Sequence, residues 1–512
     1  MMVRLTSADL YGIDAVPVEV EVDVQPGMPA YVTVGLPDAA VRESRERVRG
    51  AILNSGYQYP LEQVTVNLAP ADIRKEGAQL DLPIALALLK ATGHIPSDAL
   101  QGRALIVGEL ALNGALRPIH GVLSMALLAR SKGMALLCPA DNGEEAAVVE
   151  GCPVFPLASL SEAVRFLRGD LALDPLPHKT YSELLEDPPW SVDLADVKGQ
   201  AHVKRALEVA ASGGHNVLLL GPPGSGKSML AKRLPTILPP MSFAEALETT
   251  RVLSSTGERS ALHGGLVSHQ PFRAPHHTVS YAGMIGGGSV IRPGEISLAH
   301  NGVLFLDELT EFKRDVLESL RQPLEDRRIS IARVRGKLTF PASFMLVAAS
   351  NPCPCGYHGD PAHSCRCTPP QIQRYLSKLS GPLLDRIDIQ VEVTAMPAEE
   401  LRAASPGETS RAVRARVREA RRRQWERFAG SAVHTNAQMN ERMVEAHCAL
   451  NSEAEAFLIQ ALRSWGITAR GHHRILKVAR TIADLAGEGP ISVRHLAEAV
   501  QYRTLDRKLY AN

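Results

Sequence analysis

The chain has 512 residues, a formal net charge of +1, and is 45% hydrophobic but only 4% aromatic. That length exceeds one hydrophobic core and implies about three domains. The near-zero charge excludes a polyanion-binding field over the whole molecule, so a nucleic acid must meet local basic patches.

No apolar run reaches the roughly 18 residues that span a bilayer, and "MMVRLTSADLYGIDAV" lacks the apolar centre of a secretory signal. A cytoplasmic protein is expected, with no membrane partner. Its thiols stay reduced, so clustered cysteines among its seven point to metal before disulfides.

"VPVEVEVDV" (16–24) alternates apolar and polar residues and predicts a half-buried strand. "AYVTVGL" (30–36) and "VTVNLAP" (64–70) predict two more. "DLPIALALLKATG" (81–93) predicts a buried helix that ends at Gly93. "ALIVGELALNGALRPI" (104–119) predicts a hairpin-like pair turning at Asn113-Gly114. Helices follow near 121–132 and 160–168. Residues 1–171 thus form an α+β domain, and the Pro-bearing stretch 172–192 is a linker. Residues 193–396 alternate strands and helices. Residues 397–512 are almost all helical. The fold class is multidomain α/β.

"HNVLLLGPPGSGKSMLAKRL" (215–234) runs from an apolar strand through a glycine-rich turn into a helix. Gly221, Pro222, Pro223, Gly224, Ser225, Gly226, Lys227 and Ser228 match the phosphate-loop pattern G-x-x-x-x-G-K-[ST] in that context. Backbone amides and the helix N-terminus suit phosphate oxygens. Lys227 is expected at the β- and γ-phosphates, with the Ser228 hydroxyl on Mg²⁺. "GVLFLDEL" (302–309) predicts a buried strand ending in Asp307 and Glu308. Asp307 would hold Mg²⁺ through water, and Glu308 would polarise the attacking water. ATP and Mg²⁺ are the expected cofactors.

"SFMLVAAS" (343–350) is a further buried strand with Asn351 at its end. "GPLLDRIDI" (381–389) sets Arg386 between two aspartates, and Arg470 opens a C-terminal helix. This pattern resembles the AAA+ ATPases. The resemblance implies that Asn351 senses the γ-phosphate and that Arg386 is an arginine finger reaching a neighbour's ATP. It makes Arg470 a second sensor on a helical lid, with Arg474 its rival. Asp385 and Asp388 also suit Arg386 to a structural ion pair.

The whole chain resembles the ComM/YifB family of magnesium-chelatase-like competence proteins. The stretches that carry this are "VGLPDAAVRESRERVRGAI", "RKEGAQLDLPIALALL", "PFRAPHHTVS", "RPGEISLAHNGVLFLDELTEF", "NPCPCGYHGD" and "SGPLLDRIDI". The resemblance implies a ring motor, expected as a hexamer, that moves branched or single-stranded DNA during recombination. A chelatase-type motor acting on a metal-insertion partner is the alternative.

The N-terminal domain resembles the Lon proteolytic domain, with its S5-like fold. The Lon dyad is missing: Gln79 stands near the serine position, and Leu123 replaces the expected lysine. A nucleophile without its activating base is a poor catalyst, so a non-proteolytic domain is expected. Lys75 and Lys90 are the bases left for a cryptic activity.

"RRISIARVRGKLTF" (327–340) predicts a basic hairpin carrying Arg327, Arg328, Arg333, Arg335 and Lys337. Related motors aim such a hairpin into the ring channel, which suits backbone phosphates without base readout. The glycine-rich "YAGMIGGGSV" (281–290) is a second pore candidate, and a solvated surface loop is the plain reading of each. The arginine-rich 411–428 reads as a solvated helix face or an interface before a DNA patch.

Cys353, Cys355, Cys365 and Cys367 lie close together after Asn351. Four thiolates suit a structural Zn²⁺, although Cys-x-Cys is less typical than Cys-x₂-Cys. His358 or His363 can stand in for one thiol. A redox-sensitive pair and unliganded thiols are the alternatives.

Overall fold

The computed structural model describes residues 1–99, 103–185, 190–258, 264–288, 291–333, 336–360, 362–395, 407–431, 433–465, 469–503 and 505. The chain forms two compact units. One comprises Met1–Glu186, Ser242–Ser268 and Ala332–Phe340; the other comprises Asp187–Met241, His269–Ile331 and Pro341–Asn512. Two segments from within the expected 193–396 domain therefore belong with the N-terminal residues.

The first unit is built on a seven-stranded mixed sheet. Its order is Ala30–Val34, Gln63–Ala69, Asp14–Gln25, Met2–Tyr11, Ala104–Ile106, Ala135–Pro139 and Val154–Leu157. The predicted alternation is real: Val18, Val20 and Val22 are fully buried on one face of Asp14–Gln25. That strand pairs antiparallel with Met2–Tyr11 along its length, from Met2 opposite Asp23 to Tyr11 opposite Asp14. The helix Asp81–Ala91 has every residue from Asp81 to Leu89 buried, which is why its sequence is apolar all round. The expected hairpin over 104–119 is divided. Ala104–Ile106 joins the large sheet, and Glu109–Leu110 pairs with Leu116–Arg117.

The second unit holds a five-stranded parallel sheet. Its order is Phe272–Arg273, Val303–Leu306, Met345–Ser350, Val217–Leu220 and Ile389–Glu392. The three central strands are wholly buried, as their unbroken Val/Leu/Ala runs require. The C-terminal region is helical, over Ser410–Arg427, Glu441–His447, Ser452–Trp465, Ala469–Ala486 and Val493–Gln501. Several cations of the arginine-rich helix are paired within the chain. Arg416 pairs with Glu208 and Glu408, Arg422 with Glu419 and Glu426, and Arg427 with the buried Asp484. Among the described residues no helix is long and apolar enough to cross a membrane.

Two buried acids make the first unit sensitive to pH: Asp81, which burial lifts to about 6, and Asp9, which it lifts further. Asp9 accepts hydrogen bonds from the backbone N–H of Leu10 at 2.7 Å and of Glu76 at 2.9 Å. Burial nonetheless lifts its carboxyl from 3.8 to about 7. The folded chain keeps that proton to higher pH than the unfolded chain, so stability falls as pH rises from about 4 to 7. A lift of that size corresponds to about 4 kcal/mol across the window. Urea unfolding midpoints should drop between pH 5 and pH 8, and Asp9→Asn should reduce the drop, leaving the part that Asp81 contributes.

Candidate functional site

The site grows from strand register. Val217–Leu220 and Met345–Ser350 run parallel with Leu220 opposite Ser350, and the Gly221 N–H donates to the Ser350 carbonyl at 3.2 Å. Both chains leave the sheet at the same level, which sets Gly221 beside Asn351. A Cβ on Gly221 would lie 2.1 Å from the Val393 carbonyl oxygen, so only glycine passes there. The loop then turns into the helix Lys227–Arg233 through Gly226 at φ +93°.

Lys227 is 8% exposed. Its ammonium donates to the carbonyls of Gly221 at 2.7 Å and Pro222 at 2.8 Å, and to Asn351 Oδ1 at 3.1 Å. Burial lowers its pKa, and the nearby Asp307 and Glu308 carboxylates oppose that shift. The Ser228 hydroxyl donates to Asp307 Oδ2 at 2.6 Å. This juxtaposes two hard oxygen ligands, the donor set that a small divalent cation takes. The residues expected at a nucleotide phosphate and its Mg²⁺ are therefore assembled in one place.

Glu308 follows directly. It adopts φ +53°, uncommon for a non-glycine residue, and its N–H donates to Asp307 Oδ1 at 3.0 Å. Its carboxylate is half exposed and lies 3.8 Å from His277 Nδ1. Sequence reasoning assigned no role to His277. The signal was the tandem His276-His277 just after the strand Phe272–Arg273, whose rings stack at 4.0 Å.

Arg386 is 8% exposed. Its guanidinium donates to the Pro382 carbonyl at 2.6 Å and pairs with Glu325 at 2.5 Å, while its Nε has no partner among the described residues. The acid that holds it is thus Glu325, from a distant stretch. Asp388 is committed elsewhere. It receives Arg474 at 2.5 Å and the Asn216 N–H at 3.0 Å, with His215 at 3.6 Å. Burial works to raise the Asp388 pKa, but Arg474 and His215 outweigh it and hold the carboxyl well below its usual range. The side chain of Arg470 lies outside the described residues.

The basic hairpin forms as strands Arg328–Arg333 and Gly336–Pro341. Arg328 and Lys337 are exposed. Arg327 is half-buried, and burial lowers its pKa. Arg335 and the side chain of Arg333 lie outside the described residues. In the glycine-rich stretch, Gly286–Gly287 pairs with Arg292–Pro293, while residues 289–290 lie outside the described ones.

The cysteine cluster closes. The sulfurs of Cys353, Cys355, Cys365 and Cys367 all lie within 4.8 Å of one another. Three of the separations are 3.4, 3.6 and 3.7 Å. Four sulfurs about 2.3 Å from one ion have tetrahedral edges of about 3.8 Å, so the set fits Zn²⁺. Backbone N–H groups of Tyr357 and Arg366 stabilise the Cys355 thiolate and bring its pKa down to about 6. His358 is exposed, and His363 sits against Asp360 and Tyr357, so neither histidine joins this set.

In the first unit, Lys75 donates to the carbonyls of Pro70 and Ile73, and Lys90 donates to the Ala99 carbonyl at 2.6 Å. Gln79 donates to Asp9 and to the Glu76 carbonyl, each at 2.5 Å. Leu123 is fully buried.

Three family descriptions together cover most of the chain. "Magnesium chelatase, subunit ChlI" matches residues 193–401, "Subunit ChlI of Mg-chelatase" residues 20–142, and "Magnesium chelatase, subunit ChlI C-terminal" residues 407–503. The uncharacterized protein YifB of Escherichia coli is 46% identical over 501 residues, 97% of this chain and 96% of its own. The competence protein ComM of Haemophilus influenzae shows the same identity and coverage. The chain belongs to the ComM/YifB family of magnesium-chelatase-like AAA+ proteins. Uncharacterized protein Rv2897c of Mycobacterium tuberculosis is 42% identical over 98% of both chains.

Asp388 gives the site a structural test. Asp388→Ala leaves the guanidinium of Arg474 and the amide of Asn216 without their acceptor. Breaking a buried pair this way costs about 3–5 kcal/mol. Urea unfolding should show that loss, and Asp388→Asn, which keeps an acceptor for Asn216, should fall between the two.

Proposed function

We propose that the chain is an ATP-driven ring motor that acts on branched or single-stranded DNA in the cytoplasm. The observation that carries the ATPase half is the convergence of Lys227, Asn351, Ser228 and Asp307 at the ends of adjacent parallel strands. Bound ATP supplies the phosphoanhydride, and Ser228 and Asp307 would hold its Mg²⁺. Lys227 exchanges its two loop carbonyls for phosphate oxygens. Asn351 orients against the terminal phosphate, and Glu308 takes the proton of a water. Arg386 acts on a neighbour's nucleotide, giving up Glu325 to do so, which is why a hexameric ring is part of the reading. The helical region 397–512 serves as the lid, with Arg470 or Arg474 as its sensor. The Lon-like residues 1–171 are non-proteolytic and serve assembly or DNA guidance. The cysteine quartet holds a structural Zn²⁺.

The DNA half draws on the near-full-length likeness to a competence protein and on a partial one. Probable DNA helicase MCM9 of Arabidopsis thaliana is 27% identical over 199 residues, 39% of this chain. The exposed Arg328 and Lys337 suit phosphate contact. The family descriptions favour a second reading, a chelatase-type motor that remodels a protein partner.

Lys227→Ala should abolish nucleotide binding. Glu308→Gln should retain it while hydrolysis falls by about two orders of magnitude. Arg386→Ala should bind nucleotide and lose assembly-dependent turnover. Forked DNA should bind the assembled chain with an affinity that drops steeply between low and moderate salt, and Arg328→Glu with Lys337→Glu should weaken it. A wild-type ring whose ATPase rate ignores forked DNA, and which does not bind it, sinks the DNA reading in favour of the chelatase-type one.

A further inference from the structure

The loop that carries the four thiols also touches the phosphate loop. Asn351 bonds Lys227 at 3.1 Å, and two residues later Cys353 is fully buried. The N–H of Gly356 then donates to the Cys353 carbonyl at 3.0 Å and closes a tight turn at φ +87°. A Cβ on Gly356 would lie 2.5 Å from Cδ and 2.6 Å from Cγ of Pro223. The bare backbone of the cysteine turn is therefore pressed against the second proline of the phosphate loop. Residues 351–356 meet that loop at two points, Lys227 and Pro223, with Cys353 and Cys355 between Asn351 and Gly356 in sequence.

The rest of the cysteine loop offers no core of its own. His358, Gly359, Ala362, His363 and Ser364 are exposed. Such a segment has little apolar burial to offset its ordering entropy. Four metal–sulfur bonds offset it directly, with the thiol protons released to solvent as the ion binds.

We propose that Zn²⁺ bound by Cys353, Cys355, Cys365 and Cys367 clamps residues 351–356 onto the phosphate loop and thereby sets the affinity of the chain for nucleotide. The metal acts as a positioning element, since none of its four ligands belongs to the phosphate loop. The proposal rests on the ATP reading of the phosphate loop. It assigns control of that site to a metal whose ligands lie outside the phosphate loop, two to sixteen residues after Asn351.

The experiment uses the full-length chain purified without chelators, with elemental analysis for zinc and a fluorescent ATP analogue for affinity. About one zinc per chain is expected. Stripping it with a competing chelator should weaken analogue binding about tenfold or more, and adding zinc back should restore it. Gly356→Ala should keep the zinc and still weaken binding, because its methyl meets Pro223. Lys227→Ala should lose the analogue and keep the zinc. Cobalt(II) added to stripped protein should give the visible spectrum of a tetrahedral thiolate site. Protein that holds no zinc and gives no such spectrum overturns the metal site. Stripped protein that binds the analogue as tightly as the loaded form overturns the clamp. A zinc-loaded wild type that binds no analogue at all overturns the ATP reading and the clamp together, while its zinc content upholds the site.

Discussion

The buried ammonium of Lys227 is the interaction on which the rest of the second unit depends. A charge removed from water must be met by oxygens at close range, or the chain will discharge it. Three elements meet that demand. The phosphate loop supplies the carbonyls of Gly221 and Pro222, and the end of the strand Met345–Ser350 supplies Asn351. The parallel register of Leu220 with Ser350 is what brings them to one place. The carboxylates of Asp307 and Glu308, at the end of the next strand, complete the field around the ammonium.

A second buried charge ties the helical region to this sheet. Asp388 lies at the entry to the strand Ile389–Glu392 and takes Arg474 from the helix Ala469–Ala486. His215, at the entry to the neighbouring strand, bonds Thr481 of the same helix at 2.8 Å. That helix is therefore fastened to the entry ends of the adjacent strands Val217–Leu220 and Ile389–Glu392. The cysteine turn presses on the same loop from the other side of Asn351 through Gly356 and Pro223. The cysteine turn thus borders the loop at the exit ends of these parallel strands, whereas the Asp388 cluster fastens their opposite, entry ends.

Much of the candidate site was legible in the sequence because its parts are contiguous. The phosphate loop spends its chemistry within eight residues, from Gly221 to Ser228. The acidic strand and Asn351 were legible for a related reason. A short, wholly apolar run followed by a polar residue marks a buried parallel strand and its functional end. The strand Asp14–Gln25 showed its buried face through period two, and Asp81–Ala91 its burial through unbroken apolarity. The hairpin turning at Asn113-Gly114 forms but is shorter than expected over 104–119, because Ala104–Ile106 is claimed by the distant strands Met2–Tyr11 and Ala135–Pro139.

By itself, the sequence determined the parallel α/β core, the helical C-terminal region, the phosphate loop with its acidic partner, and the cysteine quartet. Each follows from residues close enough in the chain to share one turn, one strand or one helix face. Only the tertiary structure decided who meets whom across long separations. It set Glu325 on Arg386, His277 beside Glu308, Arg474 on Asp388, and Gly356 against Pro223. It also gathered Ser242–Ser268 and Ala332–Phe340 into the N-terminal unit. The physical reason is the same throughout. Local pattern encodes burial and backbone conformation, but a charge finds its counter-charge only after strand order and register have brought the two together.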